Sequence, residues 1–263
     1  MAASGIVVGA VLMGIAWGGA AAAQSSPDSS ATATACQMRL TPDRAEFKPL
    51  GDIGGPAGCG GPDVVYLERI ILADLTAIAV EPPATLRCEM AEAVVNFVRQ
   101  DLASAAARLG AALSSIENYD SYDCRGRNRV AGAKLSEHGL ANALDIRSVR
   151  LKDGRVVRPA DAAAPLEFRS AMKTAVCNRF TTVLGPGSDG YHEDHIHVDL
   201  AERHGGYRIC HWDLHDGGRT YAVQSAAVPA TVRASVAALP SSIPLPRPRP
   251  FAAGGVAHDI AHP

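Results

Sequence analysis

Apolar positions along this chain follow two periods. After Pro83, the residues Leu86, Met90, Val94, Phe97 and Val98, then Leu102 and Leu109, recur at helical steps, and Gly110 stands where such a helix would stop. A second helix is predicted over residues 166–180. Elsewhere the pattern shortens to alternation and brief apolar runs. These predict strands at 111–119, 142–151, 156–157, 181–184 and 191–200, with Asp153-Gly154 as a hairpin turn and residues 185–190 as a glycine-rich one. Residues 120–129 read as a polar loop, and the glycine-rich stretch 36–62 reads as turns ordered by a bridge from Cys36 or Cys59. Helices and hairpin-linked strands in this order predict an α+β fold, a small antiparallel sheet flanked by helices.

The ends of the chain differ from its middle. Ile6 to Trp17 is an apolar run followed by Ala20-Ala21-Ala22-Ala23, and small residues at Ala21 and Ala23 predict a signal peptide over 1–23, cleaved before Gln24. The alternative is an uncleaved anchor, for which the run is short and broken by glycine. Residues 24–35 read as a flexible leader, 36–215 as the folded domain, and 240–263 as a proline-rich disordered tail. Cleavage would leave no stable membrane span and a periplasmic or secreted protein. Cys36, Cys59, Cys88, Cys124, Cys177 and Cys210 are then an even set in an exported chain, which predicts three disulfides of unspecified pairing. None forms a C-x-x-C pair, so a thiolate metal site is not expected.

Composition narrows the function. Apolar residues at 47% allow a buried core, and 25 Lys+Arg against 27 Asp+Glu leave a net charge of -2. That balance, with aromatics at only 5%, argues against nucleic acid as a partner.

Two clusters carry chemistry. The first is Ser136-Glu137-His138-Gly139-Leu140-Ala141-Asn142-Ala143-Leu144-Asp145, and the second is His192-Glu193-Asp194-His195-Ile196-His197-Val198-Asp199. On a strand, side chains alternate, so His195, His197 and Asp199 share one face while Ile196, Val198 and Leu200 take the other. By the same rule Asp145 lies opposite Leu144 and Ile146, and Gly139 offers a bend that brings His138 to the same side. A catalytic zinc takes three protein ligands and keeps one open position. His138, Asp145 and one histidine of the second cluster supply that number, and the surplus histidines are left for proton transfer. A structural or copper site is the alternative these ligand types allow. The spacing from His192 to His195 is not that of the helical H-E-x-x-H peptidases.

Ser136-x-His138-x(6)-Asp145 followed by His195-x-His197 resembles the zinc peptidases of the D-Ala-D-Ala carboxypeptidase and hedgehog-type fold. The triplet His192-x-x-His195-x-His197 resembles the penicillin-insensitive murein endopeptidases within that group. The wider context resembles the bacterial extensin-like C-terminal domain family: Tyr122-Asp123-Cys124-Arg125 with Asn128, Ala143-Leu144-Asp145-Ile146, and Val183-Leu184-Gly185-Pro186. The resemblance implies His138, Asp145 and His197 as zinc ligands, and His195, with His192 beside it, as the group that assists a water or protonates the leaving amine. It implies Arg125 as a guanidinium for a substrate carboxylate or developing oxyanion, and leaves Glu193 as a lesser candidate for the general base. The expected activity is hydrolysis of amide bonds in peptidoglycan peptides. The rival expectation is a non-catalytic envelope module that holds a metal or binds peptidoglycan through the same cleft.

Overall fold

The computed structural model describes Met1 and residues 32–214. Of the predicted signal segment only Met1 falls within them, and the proline-rich tail lies outside the described residues. Among the described residues nine strands form one sheet: β1 (Ala45–Gly54), β2 (Gly60–Ile71), β3 (Ala77–Arg87), β4 (Leu113–Asp120), β5 (Ala143–Leu151), β6 (Val156–Val157), β7 (Thr182–Leu184), β8 (Ile196–Asp199) and β9 (Ile209–His211). Their order across the sheet is β1-β2-β3-β4-β5-β8-β7-β9, with β6 paired to β5. Three helical segments, α1 (Cys88–Phe97), α2 (Ala103–Ala107) and α3 (Leu166–Arg179), complete an α+β architecture.

The sheet is larger than the pattern predicted, and it is mixed. β3 runs parallel to β4, and β7 runs parallel to β9, while the other pairings are antiparallel. The β3–β4 pair is parallel because α1 and α2 intervene, and a helical crossover returns the chain in the same direction. The stretch 36–62 is also not all turns, since β1 occupies much of it. β1 is an edge strand with Pro49 inside it and a largely exposed side-chain pattern, so it gives no alternating signal. It meets β2 at Gly60, whose φ is 101° and where a Cβ would stand 1.9 Å from the Ile53 carbonyl oxygen. Only glycine fits there.

The first helix begins at Cys88 rather than Leu86, because Leu86 and Arg87 still pair with Val65 and Val64 in the β2–β3 ladder. From there Met90, Val94, Phe97, Val98 and Leu102 are fully buried, passing through a π turn at Val98–Leu102, and Gly110 follows with φ at 90°. These residues share one apolar core with Phe168, Met172 and Val176 of α3 and with Leu144, Ile146, Ile196 and Val198 of β5 and β8. The helices thus cover one face of β5 and β8 and leave the other free for chemistry.

Three disulfides staple the fold: Cys36–Cys88, Cys59–Cys124 and Cys177–Cys210. They close loops of 52, 65 and 33 residues, each contributing about 4 kcal/mol in a chain-entropy model. Such bonds fit an oxidising, extracytoplasmic compartment. Among the described residues no helix is long and apolar enough to cross a membrane.

Candidate metal centre

The register of β5 against β8 builds the centre. Asp145 lies directly opposite His197, and Ala143 opposite Asp199, so Asp145 and His197 are cross-strand neighbours on the face away from the helices. His138 arrives from a 3-10 turn, His138–Leu140, in the long β4–β5 connection. Gly139 does not make the bend, contrary to expectation. The reversal falls at Ala141, in the left-handed region at φ 53° with its N–H donating to the His138 carbonyl at 3.0 Å. A Cβ at 139 would stand 2.6 Å from Leu135 Cδ1, so a larger residue there would have to displace that side chain. The connection is tied back by Cys59–Cys124 and by the Ser136 N–H donating to the Arg125 carbonyl at 3.1 Å.

Three donor atoms converge. His138 Nε2 lies 3.2 Å from Asp145 Oδ1 and 3.1 Å from His197 Nδ1, and His197 Nδ1 lies 2.9 Å from the same Asp145 oxygen. All three residues are buried. Zinc binds such ligands at roughly 2.0–2.2 Å in a tetrahedron, whose edge is then about 3.3 Å. The observed triangle is within a few tenths of an ångström of that edge, so these residues fit the ion.

Neighbouring acceptors fix which nitrogens face inward. The Ser121 carbonyl, 2.7 Å from His138 Nδ1, only accepts, so Nδ1 carries the proton and the Nε2 lone pair points to the centre. Asp199 Oδ2, 3.0 Å from His197 Nε2, does the same for His197. Outer carboxylates and carbonyls that orient metal-bound imidazoles act in this way. Two imidazole lone pairs and a carboxylate therefore meet, a set that would suit a positive charge among them. With only protons to supply it, burial would lower His197, yet the bonds to Asp145 and Asp199 prevail and raise it to about 9. Burial alone would raise the Asp145 carboxyl, but the two imidazoles hold it well below the ordinary range.

His192 and His195 flank this triangle without joining it. His195 Nδ1 bonds Asp194 Oδ1 at 2.8 Å, and its Nε2 stands 3.4 Å from Asp145 Oδ2. His192 Nδ1 bonds Asp189 Oδ1 at 2.7 Å, and its ring lies 5.2 Å from that of His195. Burial keeps the His192 imidazole below its ordinary pKa despite Asp189. Tyr119 packs on His195 with ring centroids 5.2 Å apart. The strand predicted over 191–200 is confined to Ile196–Asp199. Its upstream half is a turn in which Asp189 accepts from the Tyr191 N–H at 3.0 Å as well as binding His192.

These residues line a cavity of about 650 Å³ that runs from Tyr119 and Asp120 across the triangle of His138, Asp145 and His197 to Thr182 and Arg203, the usual size for a ligand site. Arg125 lines it too, but its guanidinium is held by Asp120 at 2.7 Å and Asp123 at 3.1 Å. Glu193 is not in the lining: it is exposed, and its carboxylate accepts from the Gly187 N–H at 3.1 Å. The sequence reading missed Asp189, Asp194 and Arg203. The first two had a signal, each being an aspartate one or three residues before a histidine of the cluster.

A family model described as "Extensin-like protein C-terminus" matches residues 34–211. No curated protein and no solved structure matches this chain.

Proposed function

The chain belongs to the extensin-like protein C-terminal family, and from that membership and the geometry of the centre we propose that it is a zinc-dependent hydrolase of amide bonds in peptidoglycan peptides. The observation that carries this reading is the triangle of His138 Nε2, Asp145 Oδ1 and His197 Nδ1, with proton-transfer histidines outside it. The substrate class rests on the resemblance of His192-x-x-His195-x-His197 to murein endopeptidases and on the predicted export signal. A fold of the hedgehog and D-Ala-D-Ala carboxypeptidase type, and a periplasmic or secreted location, belong to the same proposal.

His138, Asp145 and His197 would hold the ion. Bound there, zinc supplies Lewis-acid polarisation of a carbonyl and acidifies a water molecule to a pKa of about 7. His195 does the proton work. Asp194 occupies its Nδ1, which leaves the Nε2 lone pair turned toward the centre. That nitrogen takes a proton from the attacking water and returns it to the departing amine nitrogen. His192, oriented by Asp189 and kept neutral by burial, is the second acceptor on the same wall. Arg125 shapes the wall through Asp120 and Asp123.

The test is digestion of sacculi by the purified, oxidised protein, read by chromatography. Zinc-loaded protein should hold about one ion per chain and release new muropeptides. His195→Ala should keep the zinc and lose turnover by about 10²- to 10⁴-fold. Full zinc content with no product from any sacculus preparation would instead establish the non-catalytic binding module.

A further inference from the structure

Four arginines line the cavity, and they are not equivalent. Arg125 and Arg129 share the carboxylates of Asp120 and Asp123, at 2.7–3.3 Å, so their charge is already met. Arg127 is exposed at the rim. Arg203, at the far end beyond β7, is held differently. Its guanidinium donates to the Thr181 carbonyl at 3.3 Å and to Thr182 Oγ1 at 2.5 Å. Neither acceptor carries charge. Among the described residues Arg203 has no carboxylate partner, and the nearby Asp199 carboxylate is taken by His197 Nε2 and the Ala201 N–H. The Thr181 hydroxyl in turn donates to the Ala201 carbonyl at 2.9 Å, which braces the segment that positions the guanidinium. Arg203 is thus oriented at two points, un-neutralised, and part-buried in the wall of the cavity, and a guanidinium has five N–H donors.

Its distance from the centre sets what it can hold. Thr182 pairs with Asp199, which is two residues along β8 from His197. One strand spacing across and two residues along amount to a backbone offset of about 8 Å. An extended peptide covers that in two or three residues. We propose that Arg203 anchors a free carboxylate of the substrate lying two or three residues from the cleaved amide. This rests on the hydrolase reading for the word substrate, and the bidentate recognition that guanidinium offers carboxylate supplies the selectivity.

The experiment compares a peptidoglycan stem tetrapeptide as its free acid with the same peptide as its C-terminal carboxamide. Dissociation constants are measured calorimetrically on the zinc-loaded full chain, and product is sought in the same mixtures. Wild type should bind the acid about 10- to 100-fold more tightly than the amide, as expected of a charge-assisted contact. Arg203→Ala should bring that ratio to about one. Arg203→Lys, the safer variant for folding, should reduce the ratio several-fold, since it keeps a charge without the planar fork. Arg208→Ala removes a guanidinium held by the Asn178 and Phe180 carbonyls outside the cavity, and should leave the preference intact.

Retention of the acid preference in a folded, zinc-containing Arg203→Ala protein overturns the proposal. So does equal binding, or no binding, of the two peptides by wild type. The two readings fail separately. Acid-selective binding lost in Arg203→Ala, with no product, removes the hydrolase and keeps the anchor. Cleavage of both peptides with equal KM keeps the hydrolase and removes the anchor.

Discussion

Strands β5 and β8 present two buried faces built on different physics. On the helix side, Leu144, Ile146, Ile196 and Val198 are fully buried among apolar side chains. On the other side, Asp145, His197 and Asp199 are nearly as buried, at 3–6% exposure, yet polar partners account for their side-chain contacts. The apolar face is held by area removed from water and by dispersion, which are non-directional and tolerate small rearrangement. The polar face is directional: each imidazole nitrogen must face particular polar partners. The same cross-strand register serves both, since one pairing of β5 with β8 sets which side chains meet on each side. Rigidity belongs to the first face, and specificity to the second.

Adjacent residues can separate these roles. Leu144→Ala leaves a hole in the core and should cost about 2–5 kcal/mol, a fall in melting temperature of roughly 4–20 °C, measured by calorimetry on metal-free protein. Zinc content at saturation should be unchanged. If zinc affinity fell with stability, the two faces would be one unit and the distinction would break. Asp145→Asn is the complementary experiment. Losing one of a small set of ligands should weaken zinc by about a hundredfold or more, read by competition with a chelating dye. The metal-free protein also loses the buried Asp145–His197 pair, so it too should melt below wild type. Zinc at 100 times its dissociation constant adds about 2.7 kcal/mol to wild type, and that increment should vanish in the variant.

A smaller change sharpens the polar face further. Asp199 touches no ion in this reading; it holds the His197 Nε2 proton at 3.0 Å and accepts from the Ala201 N–H at 2.9 Å. Asp199→Asn retains an oxygen for one of those bonds but loses the charge that orients His197. Zinc affinity or turnover should fall by about 10- to 100-fold, with little change in the melting temperature of the metal-free protein. An unchanged affinity would mean that packing alone orients the ring.

The polar face was legible in the chain because period two is strict within the strand: once Ile196 and Val198 are assigned inward, His197 and Asp199 must share the outer side, and His195 stands one residue before the strand begins. The core helix was legible for the parallel reason at period 3.6. What escaped was fixed by remote partners. β1 is an exposed edge whose pairing with β2 is declared by no alternation, only by the glycine that Ile53 requires at position 60. The parallel β3–β4 pair depends on where a helix lands, and the disulfide partners on which loops meet. The fate of Arg125 depends on Asp120 and Asp123, neighbours in sequence whose reach into the same guanidinium is a matter of loop geometry.

Glu193 gives the smallest expected effect and the sharpest boundary to the polar face. It lies between His192 and His195, a place in the sequence suited to a general base, yet alternation ends before Ile196 and the turn sends its side chain outward. Its carboxylate accepts the Gly187 N–H at 3.1 Å, at the surface and away from the cavity lining. Glu193→Gln keeps an acceptor for that bond and removes only charge and basicity. Surface changes of this kind move stability by no more than about 0.5 kcal/mol, and turnover on sacculi should stay within about twofold of wild type, a bound set by that same energy. A general base contributes about 10²- to 10⁴-fold. A loss of that size in Glu193→Gln would show that the 191–195 turn rearranges when substrate binds, and that the polar face extends beyond the strand that defines it.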